Sequence, residues 1–316
     1  MPDPVLLCDL SLAPVVGLAL ARRGETPQAV TRVECATRGN FNDALLAYLE
    51  AQGSPDLKAV GIAARGWEDH HGLHPVGLGF PITRDDLRAL LGVRRVNFVN
   101  NFVARALAMP RLAPEERLEI LAGNHVADHA IAVLGPHFGL GLASMISDGM
   151  GGWVALHGEG GHSDMPARTE REWQVVEAVR HKTGYVSRET VMSVAGLTAV
   201  WQALHVLAGK PEPEAPSPET IIAAARGGDA MARETIGLMT VWLAGMASDV
   251  ALIIGATSGV YLTGALLDMI GDQFDYDAFR ARFLDKGPRS AFVAEIPVYR
   301  TAAEDLELRG LATLFD

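Results

Sequence analysis

Short apolar runs separated by polar turns dominate the first hundred positions. Residues 5–10 form one run, and residues 15–21 and 29–35 follow it as candidate antiparallel strands. Residues 40–52 place Phe41, Leu45, Leu46 and Leu49 at helical spacing. Residues 58–64 predict a buried strand, 83–91 a capped helix and 95–100 a strand that ends in polar residues. This strand-strand-strand-helix-strand-helix-strand order predicts an α/β domain with a mixed sheet. A second domain is expected to begin with a helix over 102–109, stopped by Pro110. Residues 129–134 and 140–147 predict paired strands joined by a Gly135–Gly139 turn, and 153–157 a third. From Thr169 the period becomes helical, over 170–183, 187–194, 197–208, 217–225 and 230–254, with late strands at 260–263 and 296–299. Residues 211–218 read as a surface loop. The uncharged stretch 250–267 is punctuated by Gly255, Thr257, Ser258, Gly259, Thr263 and Gly264, which predicts helix end, turn, short strand and turn, not a membrane span.

Composition narrows the class of protein. The length of 316 residues suits two domains. A net charge of −11 without a basic block argues against nucleic acid or an anionic membrane as main partner. Two cysteines, Cys8 and Cys35, make no disulfide framework, so a reduced, cytoplasmic setting is expected. The start, Met1-Pro-Asp-Pro4, carries no basic segment of the kind that opens a signal peptide. The 33 glycines point to loops that approach a ligand closely.

Four clusters carry candidate chemistry. Gly158-Glu-Gly-Gly-His-Ser-Asp164 follows a predicted strand; its glycines strip the loop of side chains while Glu159 and His162 supply an acceptor and a switchable donor for adjacent hydroxyls. The plainer reading is a tight turn with solvated polar residues. Asn100 and Asn101 lie where a strand ends and a helix begins, the usual place for ligands in open α/β sheets, although an asparagine there also serves as a helix cap. Glu189 lies in a first helical turn, where an acid complements the helix dipole. His70, His71 and His74 lack metal-ligand spacing and sit beside Gly72 and Pro75, so a solvated loop is expected and no metal site is assigned.

Taken in order, these clusters resemble the bacterial ATP-dependent glucokinase family of the sugar kinase/actin-like ATPase superfamily. Val99-Asn-Asn-Phe102 stands where the family has Asn-Asp-Phe, and Leu156–Asp164 where it has Pro-Gly-Glu-Gly-Gly-His. Ser187-Arg-Glu-Thr-Val-Met-Ser193 matches its Ser-x-Glu-x-Val-Leu-Ser segment, and Asp285-Lys-Gly and Glu295-Ile-Pro-Val-Tyr299 match its tail. The resemblance implies a two-domain, ribonuclease H-like α/β fold with a central cleft. It divides the chain into a small domain over 1–101, completed by 300–316, and a large domain over 102–299. It implies a hexose gripped by Asn100, Glu159, His162 and Glu189, with ATP and Mg²⁺ contacted through Asp9, Gly139, Gly141 and Gly264. A homodimer is also implied.

The chain departs from the family on the catalytic side. The family's basic aspartate becomes Asn101, whose amide cannot take a proton from an attacking hydroxyl. The first phosphate loop, Asp-x-Gly-Gly-Thr-Asn in the family, reads Asp9-Leu-Ser-Leu-Ala-Pro14. The second, Gly-x-Gly-Thr-Gly-Leu-Gly, reads Gly135-Pro-His-Phe-Gly-Leu-Gly141, with Phe138 in place of the hydroxyl. Thr263-Gly-Ala265 replaces an Ala-Gly-Gly turn, and Gly77-Leu-Gly-Phe80 a segment with a sugar-binding Asn. The expectation is a hexose-binding pseudokinase or sugar sensor that answers to a protein partner. Its alternatives are an active glucokinase making glucose 6-phosphate for glycolysis, and an interaction protein without sugar binding.

Overall fold

The computed structural model describes residues 4–315, so most of the Met1–Pro4 start lies outside the described residues. The chain divides into two compact units, Met1–Leu112 with Ala303–Asp316, and Ala113–Ala302.

The first unit is built on strands β1 (Val5–Leu12), β2 (Val15–Ala21), β3 (Gln28–Glu34), β4 (Ala59–Ala64) and β7 (Arg95–Asn100), in the order β3-β2-β1-β4-β7. β1, β2 and β3 pair antiparallel, whereas β1–β4 and β4–β7 are parallel. Helix α1 (Arg38–Ala51) starts where Thr37 accepts a hydrogen bond from the Asn40 N–H. Leu6, Cys8, Leu10 and Ile62 on the sheet and Phe41 and Leu45 on α1 share one core, which stabilises the pair through loss of apolar surface to water. The histidine cluster is a β-hairpin, β5 (Gly66–Asp69) with β6 (Gly72–Pro75); His74 pairs with Asp69 at 3.0 Å and stacks on Trp67. Among the described residues no group of three or more metal-ligating side chains occurs. Helix α2 is Arg84–Leu91, capped by Thr83.

Helix α3 (Asn101–Ala108) belongs to this unit, which moves the boundary from Asn101 to Leu112. Its partner is the last helix of the chain, Leu306–Thr313. Gly310 lets the two backbones meet, since a Cβ there would lie 2.6 Å from the Ala104 carbonyl carbon. Arg105 donates to Glu307 Oε1 at 2.9 and 2.7 Å across the same contact.

The second unit repeats the sheet plan. Strands β8 (Leu118–Leu121), β9 (Ile131–Pro136), β10 (Leu140–Ser147), β11 (Trp153–His157), β12 (Gly259–Leu262) and β13 (Val298–Arg300) run in the order β11-β10-β9-β12-β13-β8. β9–β12 and β12–β13 are parallel and the other pairs antiparallel. Around it lie α4 (Glu170–Thr183), α5 (Arg188–Val191), α6 (Val194–Leu207), α7 (Pro218–Arg226), α8 (Ala230–Ile254), α9 (Ala265–Ile270), α10 (Tyr276–Leu284) and α11 (Ser290–Ala294). α8 is long and apolar enough to cross a membrane by composition, yet its Met239, Trp242, Leu243 and Met246 pack into this unit's core. It ends at Gly255 in the left-handed conformation, as the punctuation predicts. The helix expected over 187–194 is shorter: it stops at Met192 because Ser193 caps α6, accepting from the Gly196 N–H at 3.0 Å.

Candidate functional site

In the second unit, the loop after β11 is shaped by its glycines. Gly161 is buried under β10, where a Cβ would run into the Leu140 carbonyl, and a Cβ on Gly160 would run into the Leu142 side chain. The loop tightens into a single turn over Gly160–His162. It is then strapped to the chain ahead of α5: Arg188 N–H donates to the Ser163 carbonyl at 2.9 Å, Met165 N–H to the Val186 carbonyl at 3.1 Å, and the Tyr185 hydroxyl to the His162 carbonyl at 2.8 Å. Ser187 and Thr190 cap α5 reciprocally, which fixes Glu189 in its first turn.

The structure thereby joins two residues that lie 27 apart in sequence. His162 Nε2 stands 3.8 Å from Glu189 Oε1, an ion pair when the imidazole is protonated. Glu189 Oε2 accepts the Leu140 N–H at 2.8 Å, so the carboxylate is oriented while Oε1 stays available. Glu159 is mostly exposed, with Oε1 3.7 Å from His157 Nε2. Sequence reasoning missed His157, Tyr185 and the Leu140 N–H. His157, two residues before Glu159, was the one visible locally.

Gly139, assigned to a phosphate loop, has a different neighbour. A Cβ there would lie 2.5 Å from Glu189 Oε2, so this glycine makes room for the carboxylate. In the β9–β10 hairpin, His137 N–H reaches the Gly139 carbonyl at 2.7 Å and Leu140 N–H goes to Glu189. Gly141 lies opposite Gly135 in the ladder. Gly264, with φ +122°, lies against the Pro136 carbonyl, where no side chain fits.

In the first unit, Asn100 caps α3, its Oδ1 accepting the N–H groups of Phe102 at 2.8 Å and Val103 at 3.3 Å. Asn101 is the first residue of that helix and half-buried. The β1–β2 turn tests whether a phosphate would fit. Ser11 donates its N–H (2.9 Å) and hydroxyl (2.5 Å) to Asp9 Oδ1, Ala13 N–H closes onto the Leu10 carbonyl at 3.2 Å, and Pro14 has no N–H. An anion cradle needs several backbone N–H groups turned outward, and these three positions supply none, so the turn does not fit that role. Gly77 closes over it, its α-carbon against the Ala13 carbonyl with no room for a side chain. Asp9 itself is raised from 3.8 to about 6, by burial first and the Glu307 carboxylate second, against the Ser11 hydrogen bonds and Arg105.

The chain is 34% identical over 300 residues to a glucokinase-like protein of Caulobacter vibrioides, covering 95% of this chain and 93% of that one. It is 34% identical over 296 residues to a glucokinase of Aromatoleum aromaticum, covering 93% and 88%. The crystal structure of a glucokinase from an Antarctic psychrotroph superposes with a TM-score of 0.88 at 23% identity, covering 100% of this chain and 99% of that one, so the two share a fold. The sequence profile of the glucokinase family matches residues 14–316, and the chain therefore belongs to the glucokinase family.

Proposed function

We propose that this glucokinase-family chain binds glucose or a similar hexose and transfers phosphate to it poorly or not at all. The observation that carries the reading is the β1–β2 turn, where Ser11, Ala13 and Pro14 leave no outward backbone N–H for a phosphate. Sugar recognition falls to the second unit. Glu159 and Glu189 accept from hydroxyls, and His162 donates or accepts according to its protonation. In the first unit, Asn100 commits its Oδ1 to the start of α3 and keeps its amide nitrogen as a donor for a ligand. Asn101 can hydrogen-bond the hydroxyl that a kinase phosphorylates, but an amide has no basicity with which to take its proton.

A coupled assay for ATP-dependent glucose 6-phosphate formation tests this. Turnover is expected well below the ~1–100 s⁻¹ of ordinary kinases, and Asn101→Asp alone is not expected to restore it. Turnover within about tenfold of that range would overturn the reading in favour of an active glucokinase, the alternative supported by the 34% identical relative of that name. Calorimetric titration with glucose separates both from a chain that binds no sugar.

A further inference from the structure

The chain carries a net charge of −11, yet one cavity of about 240 Å³ in the second unit is reached by Arg168, Arg188, Arg282 and Lys286. Two of these cations are matched. Arg282 pairs with buried Glu172, whose carboxyl burial would raise but which the Arg282 hydrogen bond and the Arg168 N–H hold below its ordinary value. Arg168 is paired with Asp285 at 2.7 Å.

The other two are not. Arg188 Nη2 lies 3.0 Å from Asp249 Oδ2, and Lys286 Nζ takes Asp249 Oδ1. A single carboxylate thus stands between two cations that are only 14% and 12% exposed, leaving about one positive charge uncompensated in a place that water screens weakly. Hydrogen bonding is short by the same measure. Arg188 Nε is buried with no partner among the described residues, while the indole N–H of Trp242, which also lines the cavity, is directed to the Glu172 carboxylate. Buried donors without acceptors are costly and call for a missing acceptor.

We propose that this cavity binds a small oxyanion, a phosphate or carboxylate head group on a compact body, between the Arg188 guanidinium and the Lys286 ammonium. Met165, Met192 and Met246 line the same space and give the body a soft apolar wall. The volume falls below the ~300–1,000 Å³ of drug-sized sites, which restricts the occupant to a few heavy atoms beyond the head group. Phosphate and carboxylate both match an Arg edge beside a Lys point charge. The site involves none of the residues assigned to the sugar, so its test is independent of that reading.

The full chain is titrated by calorimetry with inorganic phosphate and, separately, with malonate, ionic strength being held constant with sodium chloride. One or both anions are expected to saturate at one per chain, and the one that binds tighter identifies the head group. Arg188→Met and Lys286→Met should each weaken binding by about tenfold or more. Asp249→Asn removes the competing carboxylate and should tighten it several-fold. Heats that fail to saturate with both anions would show that the cavity holds water alone and overturn the proposal. So would affinities within about twofold of the parent in both cation variants. Should those variants fail to fold by circular dichroism, Asp249→Asn decides: binding no tighter than in the parent rejects the site.

Discussion

Two loops of this chain, one after the central strand β1 of the first sheet and one after the edge strand β11 of the second, use their backbones in opposite ways. The turn between β1 and β2 closes on itself: the Ser11 and Ala13 N–H groups go to Asp9 and Leu10, and Pro14 has none to offer. The loop after β11 is strapped from outside, by Tyr185, Val186 and Arg188, which leaves the Glu159 and His162 side chains at its surface. Both contain or meet glycines at close quarters, so glycine content alone does not mark a ligand site. What distinguishes them is where the donors and carboxylates end up once the backbone is satisfied.

The largest effect is expected at Glu189. Glu189→Ala removes a charged acceptor from the proposed sugar site and leaves the Leu140 N–H without its partner. Hydrogen bonds to charged groups are worth about 1.5–3 kcal/mol, so glucose affinity should fall roughly tenfold to a hundredfold. Glu189→Gln, whose amide oxygen can still accept from Leu140, should lose less. Calorimetry with glucose measures both, and an alanine variant within about twofold of the parent would remove Glu189 from the sugar site.

A matched pair of glycine variants comes next. Gly161→Ala pushes a methyl into the Leu140 carbonyl, and Gly77→Ala pushes one into the Ala13 carbonyl at a φ of +97°. Crowding of this kind costs about 1–3 kcal/mol, read as a lower urea midpoint in both. Only Gly161→Ala should also weaken glucose binding, by about tenfold. Equal weakening in the two would erase the contrast between the loops.

Much of this was readable from residue pattern because the signals are local. An apolar run after the Gly135–Gly139 turn defines β10, and a Thr cap followed by two acids defines α4. The β5–β6 hairpin was not readable, since Gly66–Asp69 is exposed throughout and its His70-His71 turn lacks the usual Asn-Gly chemistry. The division of the chain was displaced for a related reason: nothing near Asn101 announces that α3 packs on a helix two hundred residues later through Gly310. At the site, the residue types were legible in Gly158–Asp164 and at Glu189. The seating of Glu189 on the Leu140 N–H spans 49 residues and has no local pattern to betray it. Gly139 was legible as a glycine needed for space, but the occupant of that space is a carboxylate of the chain itself.

The smallest effect concerns Asp9, the acid that survives from the first motif. Its folded value of about 6 stands above the ordinary 3.8, with burial as the chief cause and Glu307 next. Between about pH 4 and 6 the folded chain therefore binds a proton more readily than the unfolded chain. The contribution of this group to stability falls as pH rises through that window and stays level above it. Asp9→Asn removes the titration while its Oδ1 can still accept from Ser11. At pH 7.5 the variant should be more stable by on the order of 1 kcal/mol, or about 2–4 °C in Tm, after discounting for partial exposure. By pH 4 the difference should vanish. A gain that stays constant from pH 4 to 8 would trace it to packing and not to ionisation. A loss at pH 7.5 would mean that the charged carboxylate is itself stabilising, and with it that the β1–β2 turn is still arranged around a negative charge, as a working nucleotide site would require.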